Sequence, residues 1–290
     1  MKTICVKTNN FKAIHYLLEN LKQLDLNDVD WSMHKFKVYH NIFIHYKGDD
    51  LSLFLSTISE ILSSLVVENY EDIITKKILQ HEYFYFDVIE RNEIFEKIKD
   101  NSYFDSEGFI NKKHILFNRF YDFLTNEQKL YLKGFITFRL KDYSNELEKQ
   151  VDIAVNQYLI EKEYLEFVSL LKMYVNSEIS NIDTVHLIYN ADEPILLDKN
   201  KNIIKTDINS TGAKYLSDIT FSSCDMILNT LLNLIPKKIY IHLINEEDDF
   251  INTLKLIFDN RIQICTNCDI CRLYKKNLTT TFVQNIKKND

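Results

Sequence analysis

The amino-acid sequence predicts an α+β protein with an N-terminal α/β module, a central all-helical block, and a small C-terminal sheet carrying βαβ crossover helices. Three observations support this class. Alternating β-branched residues open the chain, a long helix-periodic stretch with almost no Gly or Pro fills its middle, and strand-like and helix-like segments alternate in its last third. We place the modules at 1–100, 101–178 and 179–276, followed by a polar tail at 277–290.

The N-terminal module begins with a strand and continues with a helix and a hairpin. Alternating β-branched residues predict a strand at 2–7, and apolar residues at helical spacing predict a helix at 10–24. The stretch 31–46 is closed by the turn sequence KGDD and predicts two adjacent strands. Apolar residues at helical spacing then predict helices at 51–67 and 70–99.

The central block contains a helix-start signal. Thr125 and Gln128 have the spacing of a capping box, so we expect a helix to begin there. A second long helix is expected at 144–175, and its exposed face is acidic.

The C-terminal module alternates strand and helix signals. The segments with strand character are 184–190, 194–198, 202–207, 238–244 and 261–265. Ser222 or Ser223 is expected to cap one helix, and another is expected at 247–259. Strand, helix and strand over 238–265 have the lengths of a βαβ unit, which predicts parallel strands joined by a right-handed crossover.

Composition and charge argue against several classes of protein. Only 4 of the 290 residues are Gly and 2 are Pro, and the isolated glycines form neither a phosphate-binding loop nor a dinucleotide fingerprint. The net charge is −7 and no basic stripe is present. Because nucleic-acid binding requires clustered positive charge, we expect no direct nucleic-acid partner.

Two segments bear on cellular location. The N-terminal sequence MKTICVKTNN lacks the apolar core of a signal peptide. The most apolar window, 51–67, carries Glu60 and has its apolar residues at helical spacing, so we expect a core-facing helix and no membrane span. An odd number of cysteines, five, suits a reducing compartment, and we expect a cytoplasmic protein.

The most specific chemical signal is the segment ICTNCDICR at 264–272. The spacing of Cys265, Cys268 and Cys271 lets their sulfurs converge on one ion, as CxxC knuckles do around zinc. A structural zinc site needs four ligands. Candidates for the fourth are Cys224, His242, Cys5 or another residue that the fold brings in, and His242 lies on a strand that is expected beside the strand ending at Cys265.

Other interpretations of these cysteines stay open at this point. The spacing also matches the start of a bacterial ferredoxin run, but Lys275 and Lys276 replace its next cysteine and proline, which leaves an iron–sulfur cluster with a distant fourth ligand. A thioredoxin-like redox motif would be followed by a cis-proline, whereas both prolines precede it here. The remaining interpretation is a set of free thiols packed at a turn.

A second candidate site is the acidic cluster Glu246, Glu247 and Asp248, at the carboxyl end of the 238–244 strand. Carboxylates at this edge of a sheet can hold Mg²⁺, but acidic residues in a first helical turn also stabilise the helix itself. Four other histidines lie on predicted strands: His34, His40, His45 and His186. No pattern gives them a catalytic partner, so we assign them no role as base or nucleophile.

The central helical sequence is similar to a known family. The stretch from FNRFYDFLTNEQ to LLKMYV (117–175), followed by DTVHLIY, resembles the YtxC-like family of endospore-forming bacteria, and the cysteine-rich ending agrees with this resemblance. Members are named sporulation proteins, and no catalytic activity is attached to them. The resemblance therefore implies a setting, endospore formation, and supplies no site residues.

Taken together, the sequence predicts a non-catalytic cytoplasmic sporulation protein that binds a protein partner and holds zinc or an iron–sulfur cluster at the C-terminal cysteines. The alternative is an enzyme. It would be an iron–sulfur or thiol redox protein using the same cysteines, or a Mg²⁺-dependent enzyme using the acidic cluster.

Overall fold

Each of two units in the chain is built on a four-stranded sheet. The units are Met1–Ile160 and Glu161–Asp290. The computed structural model describes residues 2–24, 28–100, 106–190, 194–205, 222–244 and 246–274. For residues 106–111 it describes the backbone only. The predicted α+β class is confirmed. The division into three modules has other bounds than these units and stays a prediction, and the tail at 277–290 lies outside the described residues.

The first sheet has the strand order β2-β3-β1-β4. Its strands are β1 (Lys2–Thr8), β2 (Val29–Phe36), β3 (Tyr39–Tyr46) and β4 (Lys129–Tyr131). β3 is antiparallel to both β1 and β2, as a hairpin requires, whereas β4 is parallel to β1. The predicted hairpin is thus confirmed, and Lys37 turns it with a positive φ of 49°.

Helices pack around this sheet and extend the first unit. They are α1 (Phe11–Gln23), α2 (Leu51–His81), α3 (Val88–Lys99), α4 (Ser106–Asn126), α5 (Leu132–Arg139) and the first part of α6 (Lys141–Ser177). Residues 161–177 of α6 belong to the second unit. Short polar side chains begin three of them, because Asn10, Asp50 and Asp87 each accept hydrogen bonds from free N–H groups of the first turn.

The apolar face of α2 belongs to the protein's own core. By length and apolar composition α2 is the one helix in the described residues that is able to cross a membrane. However, Phe54, Ile58, Leu62 and Leu65 on this helix are all at most 1% exposed. Burial of such a stripe against a sheet and neighbouring helices is what the sequence pattern predicted.

The central block is helical except for β4, and the capping-box prediction at Thr125 was wrong. Thr125 lies in the last turn of α4, where its hydroxyl donates to the carbonyl of Tyr121 at 2.8 Å. The carbonyl of Gln128 instead accepts a hydrogen bond from the Cys5 N–H at 2.8 Å, and the chain then pairs with β1. Pairing with a distant strand thus overrides the local signal for a helix start.

The second sheet has the strand order β6-β5-β7-β8. Its strands are β5 (Ile182–Tyr189), β6 (Ile195–Leu197), β7 (Pro236–Leu243) and β8 (Ile262–Cys265). β5, β7 and β8 are parallel, and β6 is an antiparallel edge strand. The expected strand at 202–207 is reduced to one bridge between Ile203 and Leu197, and its residues 206–207 lie outside the described residues.

One face of this sheet is covered by α7 (Ser223–Leu234), by α8 (Asp249–Phe258) and by the C-terminal part of α6, which adds Val168 and Val175 to the same core. Ser222 caps α7 by accepting from the Asp225 N–H at 3.1 Å. β7, α8 and β8 form the expected βαβ arrangement, with parallel strands on either side of the helix. Alternate residues of β5 and β7 point into the helix-covered core, so the side chains between them face the other side of the sheet.

Candidate metal centre

The site begins with two side chains that are neighbours across adjacent strands. His242 of β7 pairs in register with Cys265, the last residue of β8. Ile241 and Ile239 of β7 point into the helix-covered core, so His242 and its partner face the opposite side. Register alone therefore places an imidazole beside a thiol at the end of the sheet.

The chain then turns back toward these two residues. After Cys265 it makes a bend at 266–268, and a helical turn begins at 269. The N–H of Arg272 donates to the carbonyl of Cys268 at 3.0 Å, which fixes this turn. The three-residue spacing on a helical turn keeps Cys268 and Cys271 on one face, and both are directed at His242.

The four ligand atoms of His242, Cys265, Cys268 and Cys271 lie within 4.8 Å of one another. The Sγ atoms of Cys268 and Cys271 are 3.7 Å apart, and those of Cys271 and Cys265 are 3.9 Å apart. Nδ1 of His242 lies 3.3 Å from the Cys268 Sγ and 3.5 Å from the Cys271 Sγ. The sulfurs and the imidazole nitrogen thus form a small tetrahedron.

The interior side of this cluster is shielded from water. Cys271 is 0% exposed and His242 is 3% exposed, whereas Cys265 and Cys268 are half-buried. Burial raises the pKa of the Cys271 thiol to about 11. At Cys268, burial acts to raise the pKa, but hydrogen bonds with the Cys271 backbone and with the Cys265 and Cys271 side chains bring it below its ordinary value. The two thiols of the CxxC pair therefore differ in how readily they ionise.

The imidazole of His242 is held in one orientation by His186. Nε2 of His242 lies 3.0 Å from Nδ1 of His186 on β5, and the His186 ring stacks on Tyr240 at 5.2 Å. Burial, and secondarily the neighbouring His186, lowers the pKa of His242 and keeps it neutral. A neutral His242 whose Nε2–H donates to His186 presents the lone pair of Nδ1 to the three sulfurs.

Of the candidates named for a fourth position, the structure brings His242 to the three cysteines, whereas Cys5 lies on β1 and Cys224 on α7. Cys224 lies in the first turn of α7, where its thiol interacts with the hydroxyl of Tyr189. Its interactions are thus with the helix-covered side of the sheet. His186 was predicted to lie on a strand but was given no role, because its contact with His242 depends on β5 lying directly beside β7 in parallel register.

The acidic cluster does not converge on a common point. Asp248 caps α8, accepting from the Ile251 N–H at 3.2 Å, and also accepts from the Tyr189 hydroxyl. Glu247 forms an ion pair with Lys255, and Glu246 is exposed. Across the described parts of the chain, the one group of His, Cys, Asp and Glu atoms that is close enough to share an ion is the cluster of His242 with the three cysteines.

Comparison with known proteins supplies a family and little chemistry. The family model described as "YtxC-like family" matches residues 56–263, which is more than half of the chain. A curated relative, "Uncharacterized protein YtxC" of Bacillus subtilis (strain 168), is 20% identical over 156 residues, covering 53% of this chain. The chain therefore spans about half, 55%, of the length of that relative. No solved structure matches the chain.

Proposed function

The chain belongs to the YtxC-like family, and from that premise we propose that it is a non-catalytic metal-binding protein whose C-terminal unit holds one zinc ion. The proposed ligands are Nδ1 of His242 and the Sγ atoms of Cys265, Cys268 and Cys271. The zinc would connect the end of the sheet to the turn that follows it. In a closed site of this kind the metal supplies folding stability.

The spacing of the four ligand atoms is the observation that carries this proposal. With Zn–S bonds of about 2.3 Å and a Zn–N bond of about 2.0 Å, tetrahedral geometry requires S···S separations of about 3.8 Å and N···S separations of about 3.5 Å. The four separations given above are 3.7 and 3.9 Å for sulfur pairs and 3.3 and 3.5 Å for nitrogen–sulfur pairs. These four agree with a single tetrahedral ion, and the two remaining separations, from the Cys265 Sγ to the Cys268 Sγ and to the His242 imidazole, also lie within 4.8 Å.

The same separations favour zinc over an iron–sulfur cluster. In a [4Fe–4S] cluster each cysteine binds a different iron, and in a [2Fe–2S] cluster two ligands share each iron, so four ligand atoms that all lie within 4.8 Å of one another fit one ion better than a cluster. Four protein ligands also leave no open position for a substrate, which supports a structural role and not a catalytic one.

Endospore formation and binding of a protein partner are the proposed setting and mode of action. The setting is supported by the family resemblance. Partner binding is supported by large apolar side chains at the surface of α6, where Leu165, Phe167, Leu170 and Met173 are 56–63% exposed. A pull-down from sporulating cells in which wild type and a Leu170→Glu, Met173→Glu variant retain the same proteins would contradict partner binding through this surface.

Metal content of anaerobically purified protein tests the zinc proposal. We expect about one zinc per chain and no visible iron–sulfur absorption band, and we expect Cys268→Ser to lose most of the metal because a serine hydroxyl is a poor zinc ligand. Cys5→Ser is the matched control, because Cys5 lies on β1 of the other unit and should leave the zinc content unchanged.

Three results would contradict this proposal. If the protein is purified without metal and takes up no added zinc, the four residues do not form a zinc site. A broad visible band accompanied by stoichiometric iron would replace it with the iron–sulfur alternative. Equal zinc content in wild type and Cys268→Ser would place the metal elsewhere.

A further inference from the structure

A cavity of about 450 Å³ lies in the first unit at the carboxyl ends of two parallel strands. Asn9 and Asn10 line it directly after β1, and Lys133 lines it from the first turn of α5, directly after β4. Ligand sites of α/β sheets concentrate at this edge, because the loops and helix starts that follow parallel strands converge there. The volume falls in the range of small-molecule pockets, roughly 300–1,000 Å³.

Two lysines bring concentrated positive charge to this cavity. Lys133 comes from α5 and Lys77 from α2, and neither has a carboxylate partner among the residues that the structure describes. Elsewhere in the same unit, Lys112 and Lys113 pair with Glu71 and Glu60. Among the described residues, none of those that line the cavity is acidic. In a chain of net charge −7, two unpaired lysines at one cavity form an anion-attracting spot.

The remaining lining combines hydrogen-bonding groups with an apolar surface. Thr137 and Ser144 contribute hydroxyls beside the Asn9 amide. Ile74 and Ile136 contribute apolar area, and Ile136 is only 8% exposed. A ligand matching this lining carries an anionic group with several acceptor oxygens at one end and an apolar portion at the other.

Tyr70 helps to keep the rim of the cavity in place. Its hydroxyl interacts with the side chains of Asn10 and Thr8 at the end of β1. Asn10 is also the cap of α1, accepting from the Lys12 N–H at 2.9 Å. The polar rim is therefore tied to both a strand end and a helix start, which reduces the ordering cost of binding.

We propose that this cavity binds a small organic phosphate. Two lysine ammonium groups match the charge of about −1.5 to −2 that a phosphate monoester carries near pH 7. Lysine acts as a point charge toward phosphate, and none of the described lining residues is an arginine, which would form the planar fork that carboxylate recognition favours. None of the four proposed zinc ligands lines this cavity. A failure of the phosphate proposal would therefore not affect the zinc proposal, and a failure of the zinc proposal would not affect this one.

Titration of the full-length protein with phenyl phosphate and with inorganic phosphate tests it. We expect saturable binding of phenyl phosphate, tighter than that of inorganic phosphate because the phenyl ring contacts the isoleucines. Methyl resonances of Ile74 and Ile136 should shift only with phenyl phosphate. In Lys77→Ala, Lys133→Ala protein we expect affinity to fall by at least about tenfold, since a charge-assisted hydrogen bond contributes that much or more.

The matched control is Lys76→Ala. Lys76 is the immediate neighbour of Lys77 on α2, but its ammonium lies over the Phe95 ring, 4.4 Å from the centroid. Its removal takes away one positive charge, the same change per lysine as in the double variant, and should leave phenyl phosphate affinity within about twofold, the size of an exposed-charge effect. No saturable binding of phenyl phosphate, unchanged affinity in the double variant, or an equal loss per lysine in Lys76→Ala would each overturn the proposal.

Discussion

At the scale of single residues, the candidate metal centre depends on a histidine that touches none of the sulfurs. Nδ1 of His186 lies 3.0 Å from Nε2 of His242, so with the lone pair of Nδ1 directed at the cysteines His242 donates from Nε2 and His186 accepts. Such partners of a ligating histidine fix its tautomer and orientation, and they make it more basic. His186 is thus a positioning residue for the site.

We predict that His186→Phe weakens zinc binding by about ten- to hundredfold, the usual cost of losing a partner of this kind. Phenylalanine preserves the stacking on Tyr240 but cannot accept from His242. Competition with a chromophoric chelator measures the affinity, and the absorption spectrum of the Co²⁺-substituted protein reports the ligand set.

Two variants make this prediction specific. His186→Gln keeps an acceptor oxygen and should recover part of the affinity, whereas His34→Phe removes an exposed histidine from β2 of the first unit and should have no effect. If His186→Phe and His186→Gln both bind zinc as tightly as wild type, His186 has no positioning role.

The sequence was sufficient for the three cysteines and insufficient for the rest of the cluster. Spacing of three residues brings thiols together locally, whatever the fold does. Prediction of His242 as a ligand depended on the assumption that its strand lies beside the strand that ends at Cys265. His186 required the parallel register of β5 with β7, which pairs positions that are far apart in sequence and leave no local signal.

At the scale of elements, the acidic segment after β7 is best understood as the start of α8. Asp248 satisfies a free N–H of the first turn, and acidic side chains there also interact favourably with the helix dipole. Nothing in this local geometry needs a metal ion.

We predict that Asp248→Ala lowers the free energy of unfolding by about 1–2 kcal/mol through loss of the cap, whereas Asp248→Asn retains most of the stability because asparagine caps equally well. Glu246→Gln, at an exposed position, should change stability by less than about 0.5 kcal/mol. Chemical denaturation of the three variants checks this order. Added Mg²⁺ that stabilises wild type but not Asp248→Asn would instead support a magnesium site.

Elements were predictable where a local pattern and the tertiary fold agree. The hairpin of β2 and β3, the capped helices α2 and α7, and the β7-α8-β8 unit all carry strong patterns and are present as expected. β4 was missed because its three residues lie inside a helix-periodic stretch, and only the edge of β1 selects an extended conformation there. Helix α2 was predicted too short, since its pattern continues past position 67 to His81.

At the scale of the whole molecule, two units with separate sheets and separate apolar cores predict a local response to metal removal. Zinc at a thousandfold excess over its dissociation constant stabilises the state that binds it by about 4 kcal/mol. We expect chelation to lower hydrogen-exchange protection of amides in β7 and β8 by up to about a thousandfold, and to leave amides in β1 and β3 unchanged.

Exchange measured on the intact chain with and without chelator distinguishes these regions. Cys268→Ser protein is the control, because its exchange should no longer respond to the chelator. Uniform loss of protection over both sheets would show that the metal stabilises the molecule as a single cooperative unit.

The parallel pairing of β1 with β4 has a consequence for how the chain folds. Cys5 of β1 pairs with Lys129 of β4, which lies far along the chain. The edge of β1 that binds β4 therefore stays unpaired until the long segment between the two strands has been synthesised and has folded. The equilibrium cost of closing so large a loop grows only with the logarithm of its length, but the search slows folding. During that interval β1, already paired with β3, presents an open strand edge to other chains. Lys2 and Lys7 carry positive charge on this strand, and we expect that charge to disfavour edge-to-edge pairing with other copies during this interval.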